Sequence, residues 1–354
     1  LMPQFSVADI TFGDDFVPQV VAEIGINHEG NIAVAIEMAD AAIDAGVRLI
    51  KHQTHIPDAE MSEEARHIVP GNTDQSIFDV ISRCALSEAD EFKLMRHVQS
   101  RGAVFFSTPF SREAADRLAN WDMPLYKIGS GECNNYPLVR HIAAIGKPVI
   151  LSTGMNSIAS IGVSVDILRQ AGVPFALLHT TNLYPTPHKL LRLGGLPDLK
   201  DSFPDAVIGL SDHSISNNAC LASVALGARI LERHFTDSSS RPGPDIVCSM
   251  TPEDARGLVT GVSEVFEALG GSREAAPEEG VTIAFAFASV VATRDLSVGD
   301  LLGPDNIWIK RPAGGDFSAA ELESLYGRKV RVSIPGNTQV QKGQLDELRG
   351  DTLR

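Results

Sequence analysis

Eight short apolar runs punctuate the chain between Val20 and Phe235, and each ends in polar or charged residues. Segments with the apolar spacing of a helix separate the runs, as at 31–46 and 87–102. Continuously apolar runs, such as 149–151, are typical of parallel strands that are covered on both faces. Strict alternation of strand and helix predicts a parallel α/β sheet. Eight units favour a closed (β/α)8 TIM barrel over an open doubly wound sheet.

The composition changes after a predicted helix at 251–269, where a Gly- and Glu-rich segment begins. We therefore predict a barrel domain at 1–269, a linker at 270–281 and a small β-rich domain at 282–354. Short β-like runs are predicted in the last domain at 289–292, 307–310, 329–332 and 339–341. A module of this size is marginally stable alone, so we expect it to gain buried surface by packing against a barrel.

The composition predicts a globular protein that binds small molecules. Apolar residues make up 44% and charged residues 21% of the chain, which allows a sizeable core. The net charge of −15 disfavours nucleic acid and anionic membranes as partners, although local lysines could still hold an anionic substrate. We find neither a signal-peptide pattern nor a membrane-spanning apolar stretch, and expect a cytoplasmic protein. The four cysteines form no C-x-x-C pair, so we expect reduced thiols.

Polar side chains concentrate at the predicted strand ends, where barrel enzymes place their active sites. Residues two apart share one face of a strand, so Lys51 and Gln53 point the same way. The residues predicted to point away from them are His52, Asp212 and Arg233. This parity argues against a Ser-His-Asp triad at 211–213, because neighbours on an extended strand cannot form its hydrogen bonds. The long segment 53–86 exceeds an ordinary βα loop and is predicted to be functional.

His213 and His234 end the seventh and eighth predicted strands at matching depth. They could bind one divalent metal ion through imidazole nitrogens and leave positions for water and substrate. The alternative is that one or both are ordinary hydrogen-bonded residues at the barrel mouth. The neighbouring carboxylates Asp212 and Glu232 leave both interpretations open.

Lys51 and Lys127 end two further strands and would face the barrel interior, where a lysine is rarely buried without an anionic partner. The nearby neutral groups that could bind phosphate or carboxylate are Thr108, Ser130, Ser152, Asn182 and Ser211. We favour the binding of a doubly anionic substrate over the Schiff-base lysine of an aldolase. Glu23 and Glu132 are candidate acid or base groups, or structural partners of the lysines.

These strand-end motifs resemble those of the sialic acid synthase family, most closely its bacterial N-acetylneuraminate synthases. The matching segments include AEIGINH at 22–28, IKHQTH at 50–55, YKIGSGECNN at 126–135, LSDH at 210–213 and ERHFT at 232–236. The C-terminal domain resembles the family's antifreeze-like (SAF) domain at 285–289 and 310–312. The resemblance implies condensation of phosphoenolpyruvate with N-acetylmannosamine and release of phosphate.

The resemblance also implies a role for individual residues. His213 and His234 would hold a divalent metal ion, typically Mn²⁺, with Mg²⁺ or Co²⁺ as alternatives. The residues implied for phosphoenolpyruvate are Lys51, Thr108, Lys127, Ser130, Ser152, Asn182 and Ser211. Those implied for the sugar are Gln53, Asn72, Tyr184, Asp245, Phe285 and Arg311. Either Glu23 or, preferably, Glu132 would activate the water that adds during the reaction.

Arg311 would reach over the barrel of the partner subunit, which implies a domain-swapped homodimer. Beside it, Ala313-Gly314-Gly315 stands where family members often carry an asparagine, and this leaves the N-acyl sugar open. Legionaminic or pseudaminic acid synthesis is the nearest competitor. A Schiff-base aldolase and a non-catalytic binding protein are the alternatives from other classes.

Overall fold

The computed structural model describes residues 3–71 and 73–347. The chain divides into two compact units, Leu1–Gly270 and Gly271–Arg354. The first unit opens with an antiparallel hairpin of strands β1 (Gln4–Val7) and β2 (Ile10–Gly13). Eight parallel strands follow and form a closed barrel, which confirms the predicted fold class. They are β3 (Gln19–Glu23), β4 (Leu49–Thr54), β5 (Val104–Pro109), β6 (Tyr126–Ile128), β7 (Val149–Ser152), β8 (Phe175–Thr180), β9 (Val207–Asp212) and β10 (Ile230–His234).

Strand β10 closes the barrel, because it pairs with both β3 and β9. The helices of the first unit are α1 (Ile32–Asp44), α2 (Pro57–Glu60), α3 (Ile77–Cys84), α4 (Glu88–Ser100), α5 (Arg112–Asn120), α6 (Tyr136–Ala143), α7 (Ile158–Ala171), α8 (Gly195–Ser202), α9 (Asn218–Ala225) and α10 (Pro252–Ala268). Helix α1 begins after Asn31, whose side chain accepts hydrogen bonds from the amides of Ala33 and Val34. Helix α7 ends at Gly172, whose φ of 68° is readily adopted only by glycine.

The N-terminal hairpin is an element that the hydrophobic pattern did not predict. Phe5 and Phe12 stack with ring centroids 4.9 Å apart, and both belong to the core that the barrel and its helices form. Phe5 lines a groove with Phe175 and Val207, which begin two barrel strands. The hairpin therefore covers the N-terminal end of the barrel and leaves its C-terminal end for the site.

The segment between β4 and α4 contains two short helices, α2 and α3, and a 3₁₀ turn at Glu63–His67. Ser76 caps α3, and the apolar face of that helix contributes Val80, Ile81 and Cys84 to a small cluster with Ile26. This long connection is thus packed rather than extended, and it forms one wall of the cavity described below.

The second unit contains helix α11 (Gly280–Ala286) and two antiparallel strands, β11 (Ser289–Ala292) and β12 (Ile307–Lys310). These strands were predicted, but the strands predicted at 329–332 and 339–341 are wrong. The structure has only isolated bridges there, Leu301 with Lys329, Val330 with Leu345 and Val291 with Gln339. The backbone curves around its own small core, so single residues rather than runs align with a neighbour. None of the helices in the described part of the chain could cross a membrane.

Candidate active site

A cavity of about 380 Å³ opens at the C-terminal end of the barrel. Most of its walls come from strand ends and from the loops that follow them. The residues that line it are Lys51, Gln53, His55, Glu60, Met61, Ile77, Ile81, Thr108, Phe110, Lys127, Gly129, Ser130, Gly131, Glu132, Ser152, Thr180, Asn182, Tyr184, Ser211, His213, Glu232, His234 and Asp245. The structure therefore brings together the seven residues predicted for the anion, both predicted histidines and Gln53, Tyr184, Asp245 and Glu132.

The floor of the cavity carries buried charges of alternating sign. Glu232 lies between the two lysines, with its Oε1 3.4 Å from Lys51 Nζ and 3.5 Å from Lys127 Nζ. Lys51 also pairs with Glu23. Parity had placed Glu232 on the same strand face as His234, but no role in the site was predicted for it.

Burial and pairing act differently on the two lysines. Burial disfavours the charge of Lys51, but Glu23 and Glu232 outweigh it and raise the pKa of this lysine. Burial lowers the pKa of Lys127 to about 8, because Glu232 compensates only in part and Lys51 adds repulsion. Burial alone would raise the pKa of Glu232, whereas the two lysines lower it. Lys51 therefore remains charged, and Lys127 titrates near neutral pH.

Neutral polar groups surround the lysines. Lys51 Nζ donates to Thr108 Oγ1 at 3.2 Å, and Lys127 Nζ donates to Ser152 Oγ at 2.7 Å. The amide of Gly154 donates to Ser130 Oγ at 3.0 Å. Hydroxyls and ammonium groups at this spacing can hold the oxygens of a phosphate or a carboxylate.

Gly154 is required by the close approach of two side chains. A Cβ at this position would overlap Asn182 Oδ1 and would lie 2.9 Å from Ser130 Oγ. Asn182 Nδ2 in turn donates to the hydroxyl of Tyr184 at 3.3 Å. The glycine after β7 thus lets Ser130, Asn182 and Tyr184 meet at one side of the cavity.

The two predicted metal ligands lie side by side. The ring centroids of His213 and His234 are 5.4 Å apart, and Asp245 Oδ2 lies 3.6 Å from His234 Nδ1. His213 Nδ1 is 2.9 Å from the carbonyl oxygen of Thr181 and so must donate to it, which leaves Nε2 unprotonated when the ring is neutral. Burial lowers the pKa of each histidine to about 4, with further contributions from neighbouring charges.

These histidines fit a divalent metal ion. Both rings are neutral at physiological pH, and the buried Nδ1 of His234 forms no hydrogen bond with the described residues. The Thr181 carbonyl fixes the orientation of the His213 ring by accepting from Nδ1, as hydrogen-bonded carbonyls do for metal-bound histidines. Across 3–71 and 73–347, no group of three or more His, Cys, Asp or Glu side chains has metal-site geometry. A site built on His213 and His234 would take its remaining ligands from water or substrate.

The two candidate acid or base residues occupy different places. Glu132 lines the cavity, and its Oε2 accepts a hydrogen bond from Asn135 Nδ2 at 2.6 Å. Glu23 is buried and does not line the cavity. Its carboxylate contacts Lys51, the amide of Gly25 and, at 3.3 Å, Gln53 Nε2. Glu132 is therefore placed to meet a substrate or a water, whereas Glu23 holds Lys51.

The other three predicted sugar-binding residues are Asn72, Phe285 and Arg311. Asn72 lies outside the described residues. Phe285 and Arg311 belong to the second unit, where both side chains are exposed.

The residues predicted to point away from the site do so. His52 hydrogen-bonds to His28 and Glu91, and Arg233 donates to Asn217 Oδ1 at 2.6 Å. Asp212 accepts from the amide and hydroxyl of Ser214. None of the three lines the cavity, which confirms the parity argument and leaves no triad at 211–213.

A second polar group, His55 and Glu60, lines the cavity and was not predicted from the sequence. His55 follows Lys51 by four residues and Gln53 by two, so parity puts it on the same face. Its Nδ1 is 2.9 Å from Glu60 Oε1, and its ring stacks on Phe110. Parity could have indicated His55, but the position of Glu60 depends on the path of the loop after β4.

Comparison with known proteins agrees with this architecture. The NeuB family model matches residues 38–274, and the SAF domain model matches residues 287–346. An uncharacterised protein of Methanocaldococcus jannaschii is 33% identical over 91% of this chain and 94% of its own length. The N,N′-diacetyllegionaminic acid synthase of Campylobacter jejuni is 32% identical over 87% of this chain and 94% of its own length.

A solved structure is also similar to this chain. It is the N-acetylneuraminic acid (sialic acid) synthetase of Leptospira borgpetersenii in complex with citrate, which is 28% identical with a TM-score of 0.73. The match covers 80% of this chain and 95% of the other.

Proposed function

The chain belongs to the NeuB family of sialic acid synthase-like proteins, and on that premise we propose that it condenses phosphoenolpyruvate with an N-acylated hexose and releases phosphate. Our first candidate for the sugar is N-acetylmannosamine, which would give N-acetylneuraminate. The names of the similar synthases support an acidic sugar product of this kind.

The observation that carries this proposal is the floor of the cavity. Lys51 and Lys127 share one buried counter-ion, Glu232, within reach of hydroxyl and amide groups. A ligand with a phosphate and a carboxylate offers an anionic group to each lysine. Phosphoenolpyruvate is such a ligand, and the neutral donors around the lysines would bind its remaining oxygens.

A neighbouring cavity supports a second candidate for the sugar substrate. This cavity of about 530 Å³ shares Tyr184 and Asp245 with the first, but its further walls are mainly apolar. The additional apolar residues are Ile26, Pro70, Val80, Leu183 and Pro244. Against these apolar residues a methyl or acetyl group is better matched than a hydroxyl. The feature favours a diacetamido-trideoxyhexose, and hence legionaminic or pseudaminic acid synthesis.

We propose that His213 and His234 hold a divalent metal ion, with Mn²⁺ preferred over Mg²⁺ or Co²⁺. When bound, the ion would supply Lewis-acid polarisation of the sugar aldehyde. Burial keeps both imidazoles neutral and therefore available as ligands. Asp245, whose pKa burial raises to about 6, stands beside His234.

The chain's own residues account for the rest of the reaction. Lys51 and Lys127 bind phosphoenolpyruvate so that its enol carbon reaches the aldehyde and a carbon–carbon bond forms. Attack leaves positive charge on the adjacent carbon, which Glu232 and Glu132 stabilise from the cavity wall. The aldehyde oxygen takes up a proton as the carbon–carbon bond forms. Glu132 accepts a proton from the water that adds to the positive carbon. The hydroxyl formed in this way passes its proton to the departing phosphate as the C–O bond to phosphate breaks and a ketone forms.

We also propose that two chains cooperate, with Arg311 of one chain serving the barrel of its partner. The NeuB and SAF architecture supports this, together with three exposed apolar residues in the second unit. Val281 is 79%, Phe285 59% and Phe287 61% exposed. Large apolar side chains at this exposure are typical of a surface that another protein covers.

Phosphate release tests the proposed reaction. We expect purified protein with Mn²⁺ to release phosphate from phosphoenolpyruvate only when an N-acyl sugar is added, from a panel containing N-acetylmannosamine and a diacetamido-trideoxyhexose. The sugar with the higher kcat/KM identifies the product. Removal of metal should abolish turnover and Mn²⁺ should restore it, while His213→Ala should lose the ion in elemental analysis. Full activity after verified metal removal would contradict the metal assignment, and no phosphate release with any sugar would contradict the reaction.

A further inference from the structure

A chain of hydrogen bonds connects α2 with the buried charges of the floor. The two carboxylate oxygens of Glu60 lie 2.9 and 3.0 Å from His55 Nδ1. His55 Nε2 lies 2.9 Å from Gln53 Oε1, and Gln53 Nε2 lies 3.3 Å from Glu23 Oε1. The side chains of His55 and Glu60 are only 3% and 7% exposed. The His55 ring is therefore shielded from water, so both of its nitrogens depend on these partners, whereas Gln53 is half-buried at the cavity.

The chemistry of the groups determines the direction of each hydrogen bond. Glu23 pairs with Lys51 and is a carboxylate, so it requires a donor from Gln53, which is the amide nitrogen. The reverse orientation would bring the amide oxygen against the carboxylate. The oxygen of Gln53 must then face His55 and accept a hydrogen bond from Nε2.

The other side of the His55 ring imposes the same requirement. A glutamate carboxylate can only accept, so His55 Nδ1 must also carry a proton. A histidine that donates from both ring nitrogens is an imidazolium. We propose that Glu60 holds His55 as an imidazolium, which fixes the Gln53 amide with its nitrogen toward Glu23 and the cavity.

Two packing features hold this arrangement. The rings of His55 and Phe110 stack with centroids 4.4 Å apart and planes within 13° of each other. Gly25 leaves room for these hydrogen-bonded side chains, because a Cβ there would overlap both Glu23 and Gln53. His55 and Glu60 are positioning residues, since they act on the site through Gln53.

The other titratable group near His55 brings no competing charge. Burial lowers the pKa of His28 well below its usual value, and His52 and His55 lower it further. His28 is therefore neutral, and Glu60 provides the charge that stabilises the imidazolium.

The consequence for substrates rests on the proposed function. Strand β4 carries both Lys51, assigned to phosphoenolpyruvate, and Gln53, assigned to the sugar. A fixed amide presents an N–H donor to a sugar oxygen, whereas a freely rotating amide presents it only part of the time. Loss of the imidazolium should therefore weaken sugar binding and leave phosphoenolpyruvate binding nearly unchanged.

Histidine-selective ¹⁵N NMR tests the protonation state without any reaction. At pH 8 we expect both ring nitrogens of His55 to be protonated in the full-length protein, because each faces an acceptor. The signals are assigned by their loss in His55→Phe. In Glu60→Gln, which removes the charge but keeps the shape, His55 should be neutral at the same pH. Asp58→Asn on the same helix is the control, because Asp58 is exposed and does not contact His55.

Kinetics tests the positioning role. His55→Phe keeps a ring to stack on Phe110 but removes both donors. We expect it to raise the KM for the sugar about tenfold, the size of one ordinary hydrogen bond, and to lower kcat. The dissociation constant of phosphoenolpyruvate, from calorimetry, should change less than about threefold. Glu60→Gln should have a smaller effect, because a neutral His55 can still donate from Nε2, and Asp58→Asn should match the wild type.

The outcomes separate this proposal from the proposed function. A neutral His55 in the wild-type spectrum at pH 8 overturns the proposal whatever reaction the protein catalyses. Equal losses for both substrates in a His55→Phe protein with unchanged melting temperature would also overturn it. If wild type turns over no sugar, the reaction is wrong, and the NMR result still decides the state of His55.

Discussion

At the scale of single residues, the two site lysines differ although they share a counter-ion. Lys51 has two carboxylates within ion-pairing distance, whereas Lys127 has one and lies near a second cation. Parity along β4 and β10 was sufficient to place Lys51, Gln53 and His234 on the site face, since this depends only on strand geometry. The distribution of Glu23 and Glu232 between the lysines depends on neighbouring strands, so it could not be predicted from the sequence.

The lowered pKa of Lys127 predicts that phosphoenolpyruvate binding weakens as pH rises through about 8. Below pH 8 Lys127 is already charged. Above pH 8 the neutral lysine must take up a proton when the anion binds. The ligand's own charge is constant over this range, because a phosphate monoester has its second pKa near 6. Calorimetry of metal-free protein between pH 7 and 9 in buffers of different ionisation enthalpy should show proton uptake at the alkaline end.

Lys127→Met provides the comparison for that experiment. It should bind phosphoenolpyruvate more weakly by about 1.5–3 kcal/mol and lose the pH dependence. A flat wild-type affinity from pH 7 to 9 would contradict the assignment.

At the scale of elements, the ends of the strands carry the site and the helices hold the strands in place. The eight strands were predictable because each contains a short apolar run that precedes a segment with helical spacing. The N-terminal hairpin was not predictable from this rhythm, since its short strands lie outside the βα repeat. Outside β11 and β12, the backbone of the second unit pairs at single residues. Such isolated bridges produce no alternating hydrophobic pattern in the sequence.

The loop after β7 gives a prediction at this scale. Gly154→Ala should weaken phosphoenolpyruvate binding, because the new Cβ displaces the tips of Asn182 and Ser130, while the melting temperature stays within a few degrees. Only side-chain ends must move, so the barrel itself is not strained. Gly162→Ala in α7 is the matched control, since its Cβ meets no atom closer than 3.9 Å, and it should bind normally. Unaltered binding by Gly154→Ala would show that Asn182 and Ser130 do not hold the anion.

At the scale of the whole molecule, the proposed sharing of sites between chains can be tested by complementation. Lys51→Ala should disable the barrel, and Arg311→Ala should disable the second unit's contribution. After unfolding, equal mixing and refolding, half of the dimers contain one chain of each kind. If the second units are exchanged, each mixed dimer has one intact site and one site with both defects. Activity should therefore recover to about a quarter of wild type by random pairing. No recovery, with mixed dimers shown by native mass spectrometry, would contradict the shared site.

The closure of the barrel by β10 also bears on how the nascent chain folds. The ribosome makes β4 and β6, with Lys51 and Lys127, long before it makes Glu232. At ordinary elongation rates the lysines wait on the order of ten seconds for their common counter-ion. Until then β3 and β9 present unpaired edges, which chaperones or other chains could bind. The arrival of one strand therefore removes both edges and neutralises the floor, so the nascent barrel closes and balances its buried charges in the same event.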